Sequence, residues 1–473
     1  MAAHPITLYD RAEAALHDAQ LKLALERATT RFTAQRATAL ALLLDSDEVR
    51  DRARAARARA LAQLDHYLEQ LAANVAARGG QVHWAATAED ARRIILDLCR
   101  ARGVRRIVKG KSMAAEEIHL NQALEQAGYT VVETDLGEYI IQLAGQTPSH
   151  IIAPAIHWTR EQVAELFHRK LGAPLTDDIP QLARTARETL RQEYLHADLG
   201  ITGVNFAVAE SGTIVLIENE GNGRLTSGAP RIHLAIMGIE RTVATLEDLQ
   251  PLLQVLARSA TGQKLSVYTN FISGPARADE PDGPEEFHLL LLDNGRSRIL
   301  GSDYVETLYC IRCGACLNIC PVYSEIGGHA YGAVYPGPIG AVLTPNLEGL
   351  NADTRWLPYA STLCGACQEV CPVRIPLPDY LLKLRRDAVR QVGAPPLERA
   401  AMRAWQIGMR APGLYRAGAR AARFGLRLLT RRGRIRRLPP PLNAWTRRRD
   451  FPPFAPRSFQ ERWQARRRAR ETS

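Results

Sequence analysis

The sequence predicts a composite α/β protein. An α/β domain with a largely parallel sheet is preceded by a helical N-terminal arm and followed by a small, cysteine-dense helical module and a basic C-terminal extension. Three observations carry this. Short β-rich runs alternate with helical stretches between Gln81 and Leu300, the pattern of parallel strands joined by crossover helices. Seven of the eight cysteines fall between Cys310 and Cys371, where Gly and Pro are also dense. The segment Gln391–Ser473 holds 21 Arg, no Lys and 4 acidic residues, or +17, so the remainder of a chain with net charge +11 is mildly acidic, at −6.

The elements follow in order. Residues 1–78 contain no Gly and one proline, Pro5, and are rich in Ala, Leu, Arg and Gln, a composition that favours helix. Leu61, Leu64, Leu68 and Leu71 recur at three- and four-residue spacing and mark an amphipathic face, which Gly79 and Gly80 end. Residues 79–300 form the α/β domain. Its strands are expected at Arg105–Lys109, Tyr129–Thr134, Ile201–Val208, Thr213–Glu218, Ile232–Met237, Leu265–Thr269 and Phe287–Asp293, with helices over Ala114–Ala127 and Gln181–His196. Residues 301–390 lose long periodic segments until a helix over Asp379–Val392. In residues 391–473, Pro439–Pro441 and Pro452–Pro453 argue against one compact helical domain.

Several classes are excluded. No run approaches the roughly 18 uncharged apolar residues that span a bilayer. Met1–Asp10 lacks a basic segment followed by an apolar one, so no secretory signal is expected and a cytoplasmic chain is. Clustered cysteines in such a chain point to metal rather than disulfides. Cys99, alone in the apolar stretch Ile94–Cys99, reads as a buried structural thiol.

The cysteine spacing is specific. Cys310, Cys313, Cys316 and Cys320, followed by Pro321, match C-x2-C-x2-C-x3-C-P, the run of bacterial two-cluster ferredoxins. Three thiolates wrap one cluster through a tight loop, and the fourth points to a second cluster. Gly314 and Ala315 keep that loop small. Cys364, Cys367 and Cys371, followed by Pro372, repeat the register, with Ser361 in the first cysteine's place. The crossed-ligand rule assigns Cys310, Cys313, Cys316 and Cys371 to one [4Fe–4S] cluster. Cys320, Cys364 and Cys367 are left with three thiolates for the other, either [3Fe–4S] or [4Fe–4S] with a non-cysteine fourth ligand. Zinc, which takes one tetrahedron of ligands, has no use for two such runs.

These motifs, with Gly328–Val342 between them, resemble the iron–sulfur subunit of the bacterial L-lactate oxidation system, the lactate utilization protein B family. Lys109–Met113 with Glu116 and Glu117, Glu133–Gln142, Gly200–Thr213 and Asn294–Arg298 agree in the same order, so the resemblance covers about Val75 to Val392. It implies an N-terminal domain similar to CoA-transferase and ribose-isomerase folds, two cubane clusters, a basic extension, and a role in oxidising L-lactate to pyruvate with two partner subunits. It also implies that a non-cysteine residue at the place of Ser361 is ordinary in the family.

Other sites are weaker. Lys109, Lys111 and Ser112 sit between a strand and a helix, where backbone N–H groups and positive charge suit a carboxylate; the competing reading is a solvated, helix-capping turn. Glu210 lies between two strands and is a candidate nucleophile, against a plain turn residue beside Gly212. Gly221–Arg224 lacks dinucleotide spacing, and no flavin or nicotinamide site is evident. His150, His157, His196 and His233 read as structural. The Arg-rich extension suits an acidic partner subunit, an anionic membrane surface or solvent, and no nucleic-acid motif accompanies it. The function expected is an electron-transfer subunit, since a cubane accepts one electron and lactate gives up two. The competing readings are a self-sufficient enzyme acting on a small carboxylate or thioester in the α/β domain, and a subunit serving glycolate or a disulfide.

Overall fold

The computed structural model describes residues 7–394, 396–440, 442–446 and 449–471. It divides into two units, Met1–Val392 and Gly393–Ser473.

The first unit opens with four helices: α1 (Leu8–His17), α2 (Ala19–Ala41), α3 (Ser46–Ala62) and α4 (Leu64–Ala77). Thr7 and Asp10 form a reciprocal capping box on α1, and Asp18 accepts from the first N–H groups of α2. Leu61, Leu64, Leu68 and Leu71 are all buried, as their spacing predicts. The helices are nevertheless not a free arm. Ala53, Ala56 and Ala60 let α3 pack closely, and Leu25, Val49 and Leu71 share one core with Cys310, Cys313, Cys367 and Cys371.

Ten strands follow: β1 (Gln81–Ala85), β2 (Arg106–Lys109), β3 (Thr130–Glu133), β4 (Leu199–Gly203), β5 (Phe206–Val208), β6 (Thr213–Glu218), β7 (Ile232–Gly238), β8 (Thr242–Val243), β9 (Tyr268–Ile272) and β10 (Glu286–Leu292). Six form an all-parallel sheet in the order β1-β10-β7-β4-β2-β3. All seven residues of β7 are buried, as expected of a central parallel strand covered on both faces. The helices Ala88–Ala101 and Leu120–Gln126 cover one face, where Ile95, Leu98, Leu124, Ile107 and Leu234 pack with Cys99. Cys99 is fully buried, and that burial pushes its thiol up to about 12, which keeps it neutral and inert. The other face carries a second, four-stranded sheet, β8-β5-β6-β9, whose core is continuous with the cysteine module.

Four expectations change. The run Ile201–Val208 is not one strand: it leaves the parallel sheet after Gly203 and joins the second sheet at Phe206, with Asn205 making the turn by accepting from Ile217 N–H. Continuous hydrophobicity conceals a change of sheet. The helix over Ala114–Ala127 breaks at His119, in the left-handed region at φ 50°. Ile118 and Leu120 are both buried, yet residues two apart point to nearly opposite sides of a helix, so only a break lets both reach the core. The strand expected at Leu265–Thr269 lies at Tyr268–Ile272, and the short strands β1 and β8 carry too little pattern to be seen.

The second unit holds the helices Pro396–Arg410, Pro412–Leu429 and Phe459–Glu471. Its prolines do interrupt helix, but the intervening chain closes on itself: Ile435 pairs with Phe451, and Ile435 and Leu438 are buried. It is a compact unit rather than an open tail. Among the described residues no helix is long and apolar enough to cross a membrane.

Candidate iron–sulfur centres and an adjoining cavity

The two cysteine loops are built alike. Cys313, Cys316 and Cys320 are followed 51 residues later by Cys364, Cys367 and Cys371. Arg312 and Leu363 both adopt positive φ, 60° and 57°, and the glycines after the next cysteine, Gly314 and Gly365, do so too. This reversal wraps the loop around its own interior. Gly314 is needed for a second reason: a Cβ there would stand 3.0 Å from His150 Cε1. His150 is held from several sides. Its Nδ1 accepts from the N–H groups of Ile152 and Ala153, its Nε2 is 3.1 Å from Asn318 Oδ1, and burial lowers its pKa to about 4, so the ring is neutral.

Cys310, Cys313, Cys316 and Cys371 line one small cavity, walled by Ile151, Ile339, Val373, Ile375 and Leu377. The N–H of Arg312 is 3.4 Å from Cys310 Sγ, and that of Ile375 is 3.4 Å from Cys371 Sγ. Burial and mutual repulsion push Cys313 up to about 12 and Cys371 to about 11 as free thiols. Cys320, Cys364 and Cys367 form the other group. Each of Cys320 and Cys367 feels the charge of Cys364, and Cys364 alone of the seven is exposed. Ser361 Oγ accepts from Leu363 N–H at 3.1 Å, the same local relation that Cys310 Sγ has to Arg312. Among the described residues no three Cys, His, Asp or Glu side chains converge on a point that a single ion would fill. A soft, all-sulfur donor set ringing an apolar space, with N–H groups turned toward sulfur, fits an iron–sulfur cluster.

The opening helices hold these loops, a role that sequence reasoning missed. Arg36 on α2 donates to Val370 O, and Arg50 on α3 donates to the carbonyls of Glu369 (2.7 Å) and Cys371 (2.9 Å). Arg54 reaches Arg374 O and Glu306, and Arg57 donates to the carbonyls of Thr242, Glu240 and Leu308. Arg50, Arg54 and Arg57 are spaced i, i+4, i+7, which is one helical face. The signal was visible, but a charged stripe ordinarily faces solvent.

Beside the first cysteine group a cavity of about 550 Å³ opens between the two sheets. At one end lie Glu240, Arg241, Arg296, Arg312 and Tyr335. Arg296 is fully buried; it grips Glu117 through both Nη atoms (2.9 and 2.8 Å) and donates from Nε to Glu240 at 2.5 Å. Tyr335 O–H donates to Glu117 at 2.7 Å, and the Arg312 guanidinium lies over the Tyr335 ring at 4.7 Å. Burial opposes ionisation of Glu240, but Arg296, Arg241, Arg312 and Arg57 outweigh it and hold the carboxyl at about 2.

The other predicted residues fall in different places. Lys111 and Ser112 line the cavity, Lys111 donating to Ile152 O at 3.0 Å and Ser112 capping the short helix after it. Lys109 does not: it is fully buried and paired with Glu133 (2.8 Å) and Glu116 (3.2 Å). Glu210 is exposed and away from the cavity wall, its Oε1 accepting from Leu246 N–H at the start of a helix. His233 is fully buried and bonded to Thr202 Oγ1 at 2.8 Å, whereas His196 is exposed.

An α/β domain joined to a two-loop cysteine module defines the class: an iron–sulfur protein of the ferredoxin-like dicluster type carried on a larger α/β body. Family models divide the chain accordingly, with a LUD domain at residues 68–292, a 4Fe-4S dicluster domain at 306–375 and the C-terminal domain of lactate utilisation protein B at 386–468. The lactate utilization protein B of Geobacillus thermodenitrificans is 51% identical over 86% of each chain, and that of Shouchella clausii 46% identical over 96% of each. The chain belongs to the lactate utilization protein B family. A solved DUF162 family protein from Deinococcus radiodurans matches 49% of this chain and 98% of its own, at 17% identity and a TM-score of 0.26, too low a similarity to inform the fold.

Proposed function

We propose that this chain is the iron–sulfur electron-transfer subunit of a multi-protein system that oxidises L-lactate to pyruvate. Cys310, Cys313, Cys316 and Cys371 would hold a [4Fe–4S] cluster. Cys320, Cys364 and Cys367 would hold the second, as [3Fe–4S] or as [4Fe–4S] with a non-cysteine ligand. When bound, such clusters supply one-electron carriage at potentials set by burial and hydrogen bonds to sulfur. The chain's own part is to shield one site and expose the other. Ile151, Ile339, Ile375 and Leu377 exclude water from the first group, while Cys364 opens the second to a partner subunit.

The observation that carries this reading is the grouping of the cysteines into a largely buried four-thiol cradle and a three-thiol group that reaches the surface. The experiment is iron and acid-labile sulfide analysis of anaerobically purified protein, expected at roughly seven to eight iron and roughly eight sulfide per chain. Protein with neither iron nor sulfide would overturn the reading. Glu210 accepts from Leu246 N–H at the surface start of a helix, which favours the turn-residue reading over the nucleophile. Glu210→Gln is expected to leave turnover of the assembled system unchanged, as a lactate-oxidation assay would show.

A further inference from the structure

Charge along the walls of the cavity between the sheets is segregated: Arg241, Arg296 and Arg312 gather around Glu240 at the inner end, whereas Lys111, Asp135, Glu218 and Glu220 lie elsewhere on the wall. Glu240 at that end is surrounded by the lining Arg241, Arg296 and Arg312, with Arg57 and Glu117 behind the wall. Arg296 takes both carboxylates at full hydrogen-bond distance. That leaves Arg241 and Arg312 with long contacts to carboxylate, whereas Arg57 is met by three carbonyls. Arg312 lies over the Tyr335 ring and close to Cys310 and reaches Glu240 only at 3.4 Å, and its buried Nε and Nη1 meet no hydrogen-bond partner among the described residues. Arg241 stands 3.9 Å from Glu240 Oε1 and makes one long contact, 3.5 Å, to Cys310 O. Both side chains are largely buried, at 7% and 11% exposure, and what they expose faces the cavity. A buried, under-paired guanidinium fork recruits a planar oxyanion. The adjoining wall carries Ser112, Thr202 and Asn205 beside the apolar Ile151, Leu256 and Ala260, and elsewhere Lys111 with the carboxylates Asp135, Glu218 and Glu220. That combination suits a small organic acid with a polar substituent better than it suits a bare inorganic ion.

Arg312 has a second neighbour. It and Ile151 line both this cavity and the four-cysteine cradle, so an anion against Arg241 and Arg312 lies across one side chain from the cysteine sulfurs. We propose that the inner end of the cavity binds the carboxylate of a small organic acid through Arg241 and Arg312, and that this binding and the charge on the adjacent four-cysteine site oppose each other. Extra negative charge at the cysteines competes for Arg312, so the reduced protein holds the acid more weakly, and the linkage is reciprocal. The proposal rests on the electron-transfer reading only for its redox dependence; the binding site stands on the side chains alone.

The test uses the full chain, purified anaerobically with iron content verified, and calorimetric titration with pyruvate, L-lactate and inorganic phosphate. Saturable binding of pyruvate or L-lactate is expected, weakened at least tenfold by Arg241→Gln and less by Arg241→Lys, which keeps the charge but loses the fork. Lys111→Gln, on another part of the wall, is expected to change binding less than Arg241→Gln does. Dithionite-reduced protein is expected to bind severalfold more weakly than oxidised protein. Iron-loaded protein that binds neither acid overturns the site, as does binding indifferent to both Arg241 variants. Phosphate binding as tightly as pyruvate overturns the carboxylate assignment. Equal affinity in the two redox states overturns the linkage. Protein that holds neither iron nor sulfide as purified anaerobically, yet binds the acid, would overturn the electron-transfer reading and leave the site standing.

Discussion

Arg296 pairs with two buried carboxylates at once, and its removal takes from each the cation nearest to it. Arg296→Met is expected to destabilise the protein by about 3–5 kcal/mol, because an uncompensated buried charge costs more than the pair contributed; urea unfolding measures it. At the second cysteine group, Cys364→Ser is expected to abolish or reshape the EPR signal of that site while the four-cysteine site keeps its own. An unchanged spectrum would show that Cys364 is not a ligand. Gly314→Ala tests the first loop: its φ of 76° and the 3.0 Å approach to His150 leave no room for a methyl group, so reduced iron retention is the expected outcome.

At the scale of elements, α3 is the component whose role differs most from its composition. Arg57 is buried and donates to the carbonyls of Thr242, Glu240 and Leu308, whereas Arg52 donates to Gln250 at the surface. Arg57→Ala is expected to cost about 3 kcal/mol or more, by leaving buried acceptors unsatisfied, and Arg52→Ala less than about 1 kcal/mol. Comparing the two urea midpoints checks this. Equal effects would mean that α3 only decorates the surface. Gly200 shows the same logic in a strand: a Cβ there would lie 1.8 Å from Thr226 O, so the helix Asn222–Gly228 can cross β4 only because that residue is glycine.

For the whole molecule, acid sensitivity follows from its buried histidines. His150 and His233 are fully buried, with pKa values lowered by desolvation to about 4 and about 3. A histidine whose folded pKa lies below its unfolded value of about 6.5 binds more protons when unfolded. Its contribution is therefore complete above about pH 6.5 and is lost as pH falls toward 4. Glu240, held at about 2 in the fold, loses its own contribution at still lower pH. Urea midpoints are expected to drop between pH 7.5 and 5.5, and the drop is expected to shrink in His233→Leu. An identical drop in that variant would remove the histidine from the account.

Much of the element order was legible in the sequence because it is written locally. The leucine spacing of α4, the alternation of strands and helices and the two cysteine runs each depend on residues a few positions apart. The strands β4 and β5 were fused in that reading, because apolar runs report burial and not which sheet buries them. Lys109, Lys111 and Ser112 were read as one anion-binding turn, yet strand pleating sends Lys109 to Glu133 and leaves the other two at the cavity. By itself the sequence determined that this protein has two cysteine loops of ferredoxin spacing beside an α/β domain. Only the tertiary structure decided that the opening helices clamp those loops and that Arg241, Arg296 and Arg312 meet Glu117 and Glu240 at one wall. The reason is physical: a ligand spacing is fixed by the covalent chain, whereas charge pairing between distant segments exists only once their packing has removed them from water.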